Sequence, residues 1–340
     1  MKALVSTPIP VTILTGFLGA GKTTLLNRIL KENHGHKIAV IENEFGEAGI
    51  DNEILLQEEG EQIVEMNNGC ICCTVRGDLV RILGSLTEKR RAGKLDFDRI
   101  VIETTGLADP APVAQTFIVD EAVSQDYVID AILTVVDAKH APQQLNEHHE
   151  AQEQVGFADR ILLSKTDLVT EQEAEALIRR LKSMNPRAPI KKVHFGEADI
   201  SDVLDIHGFD LNSILEIDPE FLKDVSHEHD EDVASFVYRD ARPFSLEKLE
   251  AFFGLMLQTY GPNLLRYKGV LHFKDNPDRV IFQGVHMLWD ANPGKPWGRR
   301  ETRENVMVFI GRNLPRAVFE EGLRFCVADG TSGIESGRAR

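Results

Sequence analysis

The stretch VTILTGFLGAGKTTLLNRIL, residues 11–30, decides the fold. Its first five residues are a short apolar run of the kind a buried strand carries, and KTTLLNRILKEN (22–33) has the spacing of an amphipathic helix. Between them GFLGAGKT (16–23) fits G-x-x-x-x-G-K-[ST]. Strand, glycine loop and helix in that order form the context in which such a loop binds phosphate. Glycines let the backbone curl so that its N–H groups face phosphate oxygens. The cradle is then Gly16, Gly19, Ala20, Gly21, Lys22, Thr23 and Thr24, with Lys22 neutralising the terminal phosphates and the Thr23 hydroxyl facing Mg²⁺.

Outward from this unit the same grammar repeats. KIAVIE (37–42), RIVIET (99–104), AILTVVD (131–137), RILLSK (160–165) and PIKKV (189–193) read as strands. Most are continuous Val/Ile-rich runs, as expected of a parallel sheet covered on both faces. TEQEAEALIRRLKSMN (170–185) reads as a helix, with Thr170 and Glu173 in capping-box spacing and Pro186 just beyond. The fold class is therefore α/β, a doubly wound, mostly parallel P-loop NTPase sheet over residues 1–207. Residues 208–232 are acidic and end in VSHEHDED, which reads as a linker. Residues 233–327 follow a β-α-β-β-β-α order and predict a smaller α+β domain on an antiparallel sheet, half-exposed and suited to docking a partner. Residues 328–340 read as a disordered tail.

The bulk numbers exclude several classes. The 340 residues are 42% hydrophobic and 27% charged, ordinary for a globular protein. No apolar run approaches the roughly 20 residues that span a bilayer, and MKALVSTPIPVTILTG makes a poor signal peptide, so the expected compartment is the cytoplasm. A net charge of −16 without a long basic cluster argues against nucleic acid or an anionic membrane as partner. Self-association into a homo-oligomer stays open.

Two further segments complete a nucleotide site. RIVIETTG (99–106) ends a strand in Glu103 and places Gly106 just beyond, as expected of a loop that senses metal and γ-phosphate. Lys22, Thr23 and Glu103 are the predicted catalytic set. Ser164, Lys165, Thr166 and Asp167 fit the guanine-reading [NST]-K-x-D loop. A carboxylate at Asp167 accepts two hydrogens from the guanine edge, which adenine does not offer, while the Lys165 stem covers the ring. GTP is thus favoured over ATP. A buried Asp167 would favour a simple helix-capping loop instead.

Three of the four cysteines, Cys70, Cys72 and Cys73, crowd into NNGCICC (67–73). A reducing compartment disfavours disulfides, so they read as metal ligands or redox groups, with small buried hydrophobes the alternative. No second C-x-x-C pair closes the site, so carboxylate, histidine or water must complete it. Glu42, Glu44 and Glu47 of IENEFGE (41–47) are near candidates, and thiolate with carboxylate suits Zn²⁺, with Co²⁺ and Ni²⁺ next. His227 and His229 of HEHD (227–230) form a second cluster that reads equally as ligands or as plain linker. His148 and His149 read as surface residues and Cys326 as a core residue.

GFLGAGKTT, IENEFGE, NNGCICC, ETTGLADP and SKTD in this order, followed by LLRYKGVLHF, RVIFQGV, PWG and VMVFIG, resemble the CobW-type P-loop GTPases and within them the bacterial YjiA subgroup. The resemblance runs to about residue 325. It implies a slow GTPase that binds zinc or a related ion beside the nucleotide and delivers it to a client metalloprotein. By motif position it implies Glu42, Glu47 and Cys72 as metal ligands, with Cys70 and Cys73 assisting. Intrinsic turnover of unassisted GTPases is of order 10⁻³ to 10⁻² per second. Two readings compete: a zinc-responsive binding module that switches partners without metal transfer, and a P-loop kinase acting on a small molecule.

Overall fold

The computed structural model describes residues 8–32, 34–43, 54–57, 61–66, 74–194, 198–208, 232–298 and 301–328. The predicted tail from 329 and most of the linker lie outside them.

The first sheet grows around β1 (Ile9–Thr15), whose continuous apolar residues are almost all buried. Helix α1 (Lys22–Lys31) follows the glycine loop and leads to β2 (Ile38–Asn43). Two strands absent from the sequence reading come next, β3 (Ile54–Gln57) and β4 (Glu61–Met66), before α2 (Thr74–Arg91) and β5 (Arg99–Glu103). Beyond lie α3 (Ala111–Val119), α4 (Glu121–Asp126), β6 (Tyr127–Asp137), α5 (Ala141–Glu147), α6 (His149–Phe157), β7 (Arg160–Ser164), α7 (Glu171–Met184) and β8 (Ile190–Lys192). Among the described residues the strand order is β3-β4-β2-β5-β1-β6-β7-β8, parallel except for β3 against β4. The chain first runs to one side of β1 and then to the other, so the crevice beyond the carboxyl end of β1 is the topological switch point where such sheets bind ligands.

Two cores cover the two faces. Leu25, Leu26 and Ile29 of α1 pack with Ile38, Val40 and Leu133 on one, and Leu79, Leu83 and Leu86 of α2 pack with Val11, Ile13, Ile100 and Ile102 on the other. Each fully buried leucine of this kind contributes about 2–3 kcal/mol by removing apolar surface from water. Helix α7 starts with the expected capping box between Thr170 and Glu173.

The second sheet is antiparallel, with order β12-β11-β10-β13-β9. Its strands are β9 (Val233–Asp240), β10 (Leu264–Leu271), β11 (Asp278–Val285), β12 (Leu288–Pro296) and β13 (Asn305–Arg312), with α8 (Leu246–Tyr260) and α9 (Arg316–Phe325) on one face. The β-α-β-β-β-α order read from the sequence lacks one strand, because RVIFQGVHMLW (279–289) reads as a single run. The chain instead turns at His286, whose φ is 51°, and returns as β12, an extra strand. Pro293 and Pro296 hid it, since proline is confined to edge strands, and β12 is an edge.

Phe236, Phe253, Phe282, Phe309 and Phe319 fill the core under α8 and α9, where Cys326 is buried as expected and burial pushes its thiol up to about 12. The opposite sheet face is not the open surface anticipated. Val233, Leu265, Val285, Val308 and Ile310 belong to the same continuous core as α6 and α7. An ion pair seals the contact: Asp159 accepts from Arg266 Nη2 at 2.6 Å and Lys268 Nζ at 3.2 Å, all buried. No helix among the described residues is long and apolar enough to cross a membrane.

Candidate active site

The glycine loop turns back on itself through three left-handed residues, Gly16, Gly19 and Gly21, at φ 142°, 73° and 105°. A Cβ on Gly16 would also lie 2.3 Å from the Val135 carbonyl oxygen, so both backbone and space demand glycine there. Helix α1 then begins with no side-chain cap and no acidic residue in its first turn. Its first N–H groups and the positive end of its dipole are left for an anion.

Lys22 is buried, and its Nζ donates to the loop's own carbonyls, Gly16 at 2.8 Å and Phe17 at 3.4 Å. Burial lowers its pKa, with Glu103 acting in the opposite direction. The Thr23 hydroxyl donates to Glu103 Oε1 at 2.9 Å, which joins the first loop to the end of β5. Thr24 is exposed beside it. A hydroxyl and a carboxylate this close, beside a phosphate cradle, are the hard oxygen donors Mg²⁺ prefers.

The loop after β5 is pinned along its length. Thr104 donates its N–H to Leu14 O at 2.9 Å and its hydroxyl to Thr15 Oγ1 at 2.9 Å. Gly106 lies so close to Leu18 that a Cβ would meet that residue's N and Cα at 2.7 and 2.8 Å. Gln154 of α6, fully buried, donates to the carbonyls of Gly106 at 3.2 Å and Ala108 at 3.1 Å. Sequence reading missed Gln154, because a glutamine in EAQEQ looks like a solvated helix face.

On the base side, the three predicted residues play different parts. Ser164 Oγ donates to Ala20 O at 2.7 Å, tying this loop to the phosphate loop instead of presenting a group to a base. Lys165, in the left-handed region at φ 55°, donates to Gly19 O at 2.8 Å and to Asp137 Oδ2 at 2.6 Å. Asp167 has an exposed side chain (39%), open to a ligand, with His194 Nδ1 3.5 Å away. Asp137, at the end of β6, is the second residue the sequence did not single out. Burial pushes its carboxyl up, yet hydrogen bonds from Lys165, the His140 side chain and the His140 and Lys139 backbone outweigh this and hold it below the usual range. His148, expected at the surface, is half-buried and packs its ring 4.7 Å from that of Phe17 in the phosphate loop, whereas His149 is exposed.

Of the predicted metal ligands, Glu47, Cys70, Cys72, Cys73, His227 and His229 lie outside the described residues. Glu42 is placed by its backbone, at the end of β2 and level with Glu103 in the β2–β5 register. Among the described residues no group of three His, Cys, Asp or Glu side chains gathers into a metal site.

Comparison with known proteins bears on this geometry. The model for the CobW/HypB/UreG nucleotide-binding domain matches residues 10–192, and that for the cobalamin synthesis protein cobW C-terminal domain matches residues 233–327. The chain is 44% identical over 322 residues to the zinc chaperone YjiA of Escherichia coli K12, covering 93% of this chain and 99% of that one. It is 32% identical over 349 residues to the zinc-regulated GTPase metalloprotein activator 1 of Schizosaccharomyces pombe, covering 91% and 84%. The crystal structure of Zn(II)-bound YjiA GTPase from E. coli superposes with a TM-score of 0.79 at 38% identity, covering 95% of this chain and all of that one.

Proposed function

The chain belongs to the CobW/HypB/UreG nucleotide-binding family, and from that premise we propose that it is a GTPase metallochaperone that binds Zn²⁺ beside the nucleotide and passes it to a client protein. Relatives named as a zinc chaperone and as zinc-regulated GTPases support the coarse reading. The observation that carries the finer one is a register: Glu42 and Glu103 are backbone partners on adjacent parallel strands, and Glu103 accepts from Thr23. The strand that opens the proposed metal loop thus ends beside the carboxylate that faces the nucleotide.

In this reading the glycine loop and the α1 N-terminus hold the phosphates, and Lys22 leaves the Gly16 and Phe17 carbonyls for phosphate oxygens. Thr23 and Glu103 would hold Mg²⁺, which when bound neutralises phosphate charge. Asp167 reads guanine, while Lys165 and Ser164 lock the base loop onto Gly19 and Ala20. Zinc, the cargo, is held by Glu42, Glu47 and Cys72 with Cys70 and Cys73 assisting; Co²⁺ and Ni²⁺ suit the same donors less well. His227 and His229 are a secondary metal cluster. Hydrolysis changes the contacts at the end of β5, and the neighbouring strand transmits the change to the metal ligands.

The test uses protein loaded with one equivalent of zinc and a coloured zinc chelator in the buffer. Zinc should reach the chelator faster during GTP turnover than with a non-hydrolysable analogue. Equal transfer in both would leave hydrolysis without a role in delivery.

A further inference from the structure

The loop 103–110 meets a third element at its exit. Asp109 Oδ1 accepts from the Ala111 N–H at 2.8 Å and so anchors the start of α3. Arg312, the last residue of β13 in the C-terminal domain, reaches across and donates from Nη2 to Glu153 Oε1 at 2.8 Å. Glu153 sits next to Gln154, whose amide holds the Gly106 and Ala108 carbonyls. Arg312 Nε is buried without a hydrogen-bond partner, so this guanidinium is held in place by charge and by Glu153 rather than by a full set of donor contacts. One residue earlier on α6, Gln152 Oε1 accepts from the Val233 N–H at 3.2 Å, where β9 begins opposite Arg312 in the β13–β9 register. One helix therefore carries three consecutive polar residues that touch the C-terminal domain, the C-terminal domain again, and the nucleotide-sensing loop.

We propose that Arg312 is a positioning residue for GTP hydrolysis: through Glu153 and its neighbour Gln154, which grips the Gly106 and Ala108 carbonyls, the C-terminal domain steadies the loop that follows Glu103 and so keeps Glu103 against Thr23. This rests on the GTPase reading above. The charges facing one another here are Asp109 on the loop, Glu150 and Glu153 on α6, His286 at the β11–β12 turn and Arg312. Burial raises the carboxyl pKa of both Asp109 and Glu153, and Arg312 is the cation that works against this for each. An ionised Asp109 is the better acceptor for the Ala111 N–H, because a charged acceptor roughly doubles the strength of such a bond. A client that docks on the C-terminal domain and displaces Arg312 would thereby loosen the loop and slow turnover, which gives the client a handle on hydrolysis without touching the nucleotide.

The experiment compares wild type, Arg312→Ala and Arg312→Lys in GTP-dependent phosphate release between pH 5.5 and 8.5, together with amide hydrogen exchange over residues 103–110. Arg312→Ala should lower kcat about fivefold to tenfold with KM within twofold, move the acid limb of the profile upward, and speed exchange in the loop; Arg312→Lys should recover most of each. Wild-type kcat and exchange in Arg312→Ala would overturn the proposal, as would a loss spread equally over kcat and KM that lysine does not rescue. A wild-type protein that released no phosphate would instead sink the GTPase reading, and the exchange rates would still decide the role of Arg312.

Discussion

Thr23 Oγ1 and Glu103 Oε1 lie 2.9 Å apart although 80 residues separate them in the chain. The bond exists because β1 and β5 are adjacent parallel strands, with Leu14 level with Glu103, so the glycine loop and the sensing loop leave the sheet side by side. It gathers a hydroxyl and a carboxylate at the mouth of the phosphate cradle. Glu103 stands outside the glycine loop, at the end of β5, so its carboxylate is not part of the cradle itself.

Glu103→Gln should therefore still bind guanine nucleotide but hydrolyse GTP at least tenfold more slowly, a loss of roughly 1.4 kcal/mol or more in transition-state stabilisation. Phosphate release measures it. Lys22→Ala should act earlier, weakening nucleotide binding itself, because residues 16–24 contain no other Lys or Arg.

Asp167→Asn should cost guanine preference. An amide in place of the carboxylate can no longer accept both guanine hydrogens, but it can donate to the extra carbonyl of xanthine. Competition between GTP, ATP and xanthosine triphosphate reads the change. Retained GTP preference would remove Asp167 from base recognition.

Gly106→Ala should fold yet turn over GTP several-fold more slowly. The added Cβ would stand 2.7 Å from the Leu18 backbone nitrogen, which cannot rotate away as a side chain would. The strain falls on the sensing loop and the phosphate loop together. A lowered melting temperature together with a reduced kcat is the expected signature, and wild-type values of both would show that the two loops are not in contact there.

Much of this is legible in the sequence. The β1–loop–α1 unit, the capped α7 and the strands ending at Glu103 and Ser164 announce themselves because apolar period and glycine placement are local signals. What stayed hidden depends on tertiary contacts. Gln154 and Asp137 look like surface residues until the fold buries them among backbone donors and acceptors, and β12 is masked by its prolines. Ser164 reads from the sequence as part of the nucleotide site, and the fold adds a bond from its hydroxyl to Ala20 of the phosphate loop that no pattern foretells. A sequence pattern cannot distinguish a group that touches a ligand from one that positions its neighbour.

Asp137 also makes a pH prediction. Its pKa is depressed in the folded state, so its stabilising contribution is present above the unfolded value near 3.9 and is lost as pH falls through the folded value. At neutral pH Asp137→Asn should lower stability by roughly 2 kcal/mol through weakened charged hydrogen bonds to Lys165 and His140. Urea midpoints of the two proteins should converge below about pH 4. A gap that persists in strong acid would assign the effect to packing.

Cys72→Ala should weaken zinc binding and leave GTP binding unchanged, since thiolate is the soft donor of the proposed set. Equal zinc affinity in the variant would exclude Cys72 as a ligand.

The central claim is that nucleotide and metal sites share free energy through the neighbouring ends of β2 and β5. A zinc competition titration, run once with a non-hydrolysable GTP analogue and Mg²⁺ and once with GDP, tests it most directly. The account predicts affinities that differ by about tenfold or more, roughly 1.4 kcal/mol of coupling, with zinc shifting nucleotide affinity by the same factor. Identical zinc affinities in the two nucleotide states would contradict it.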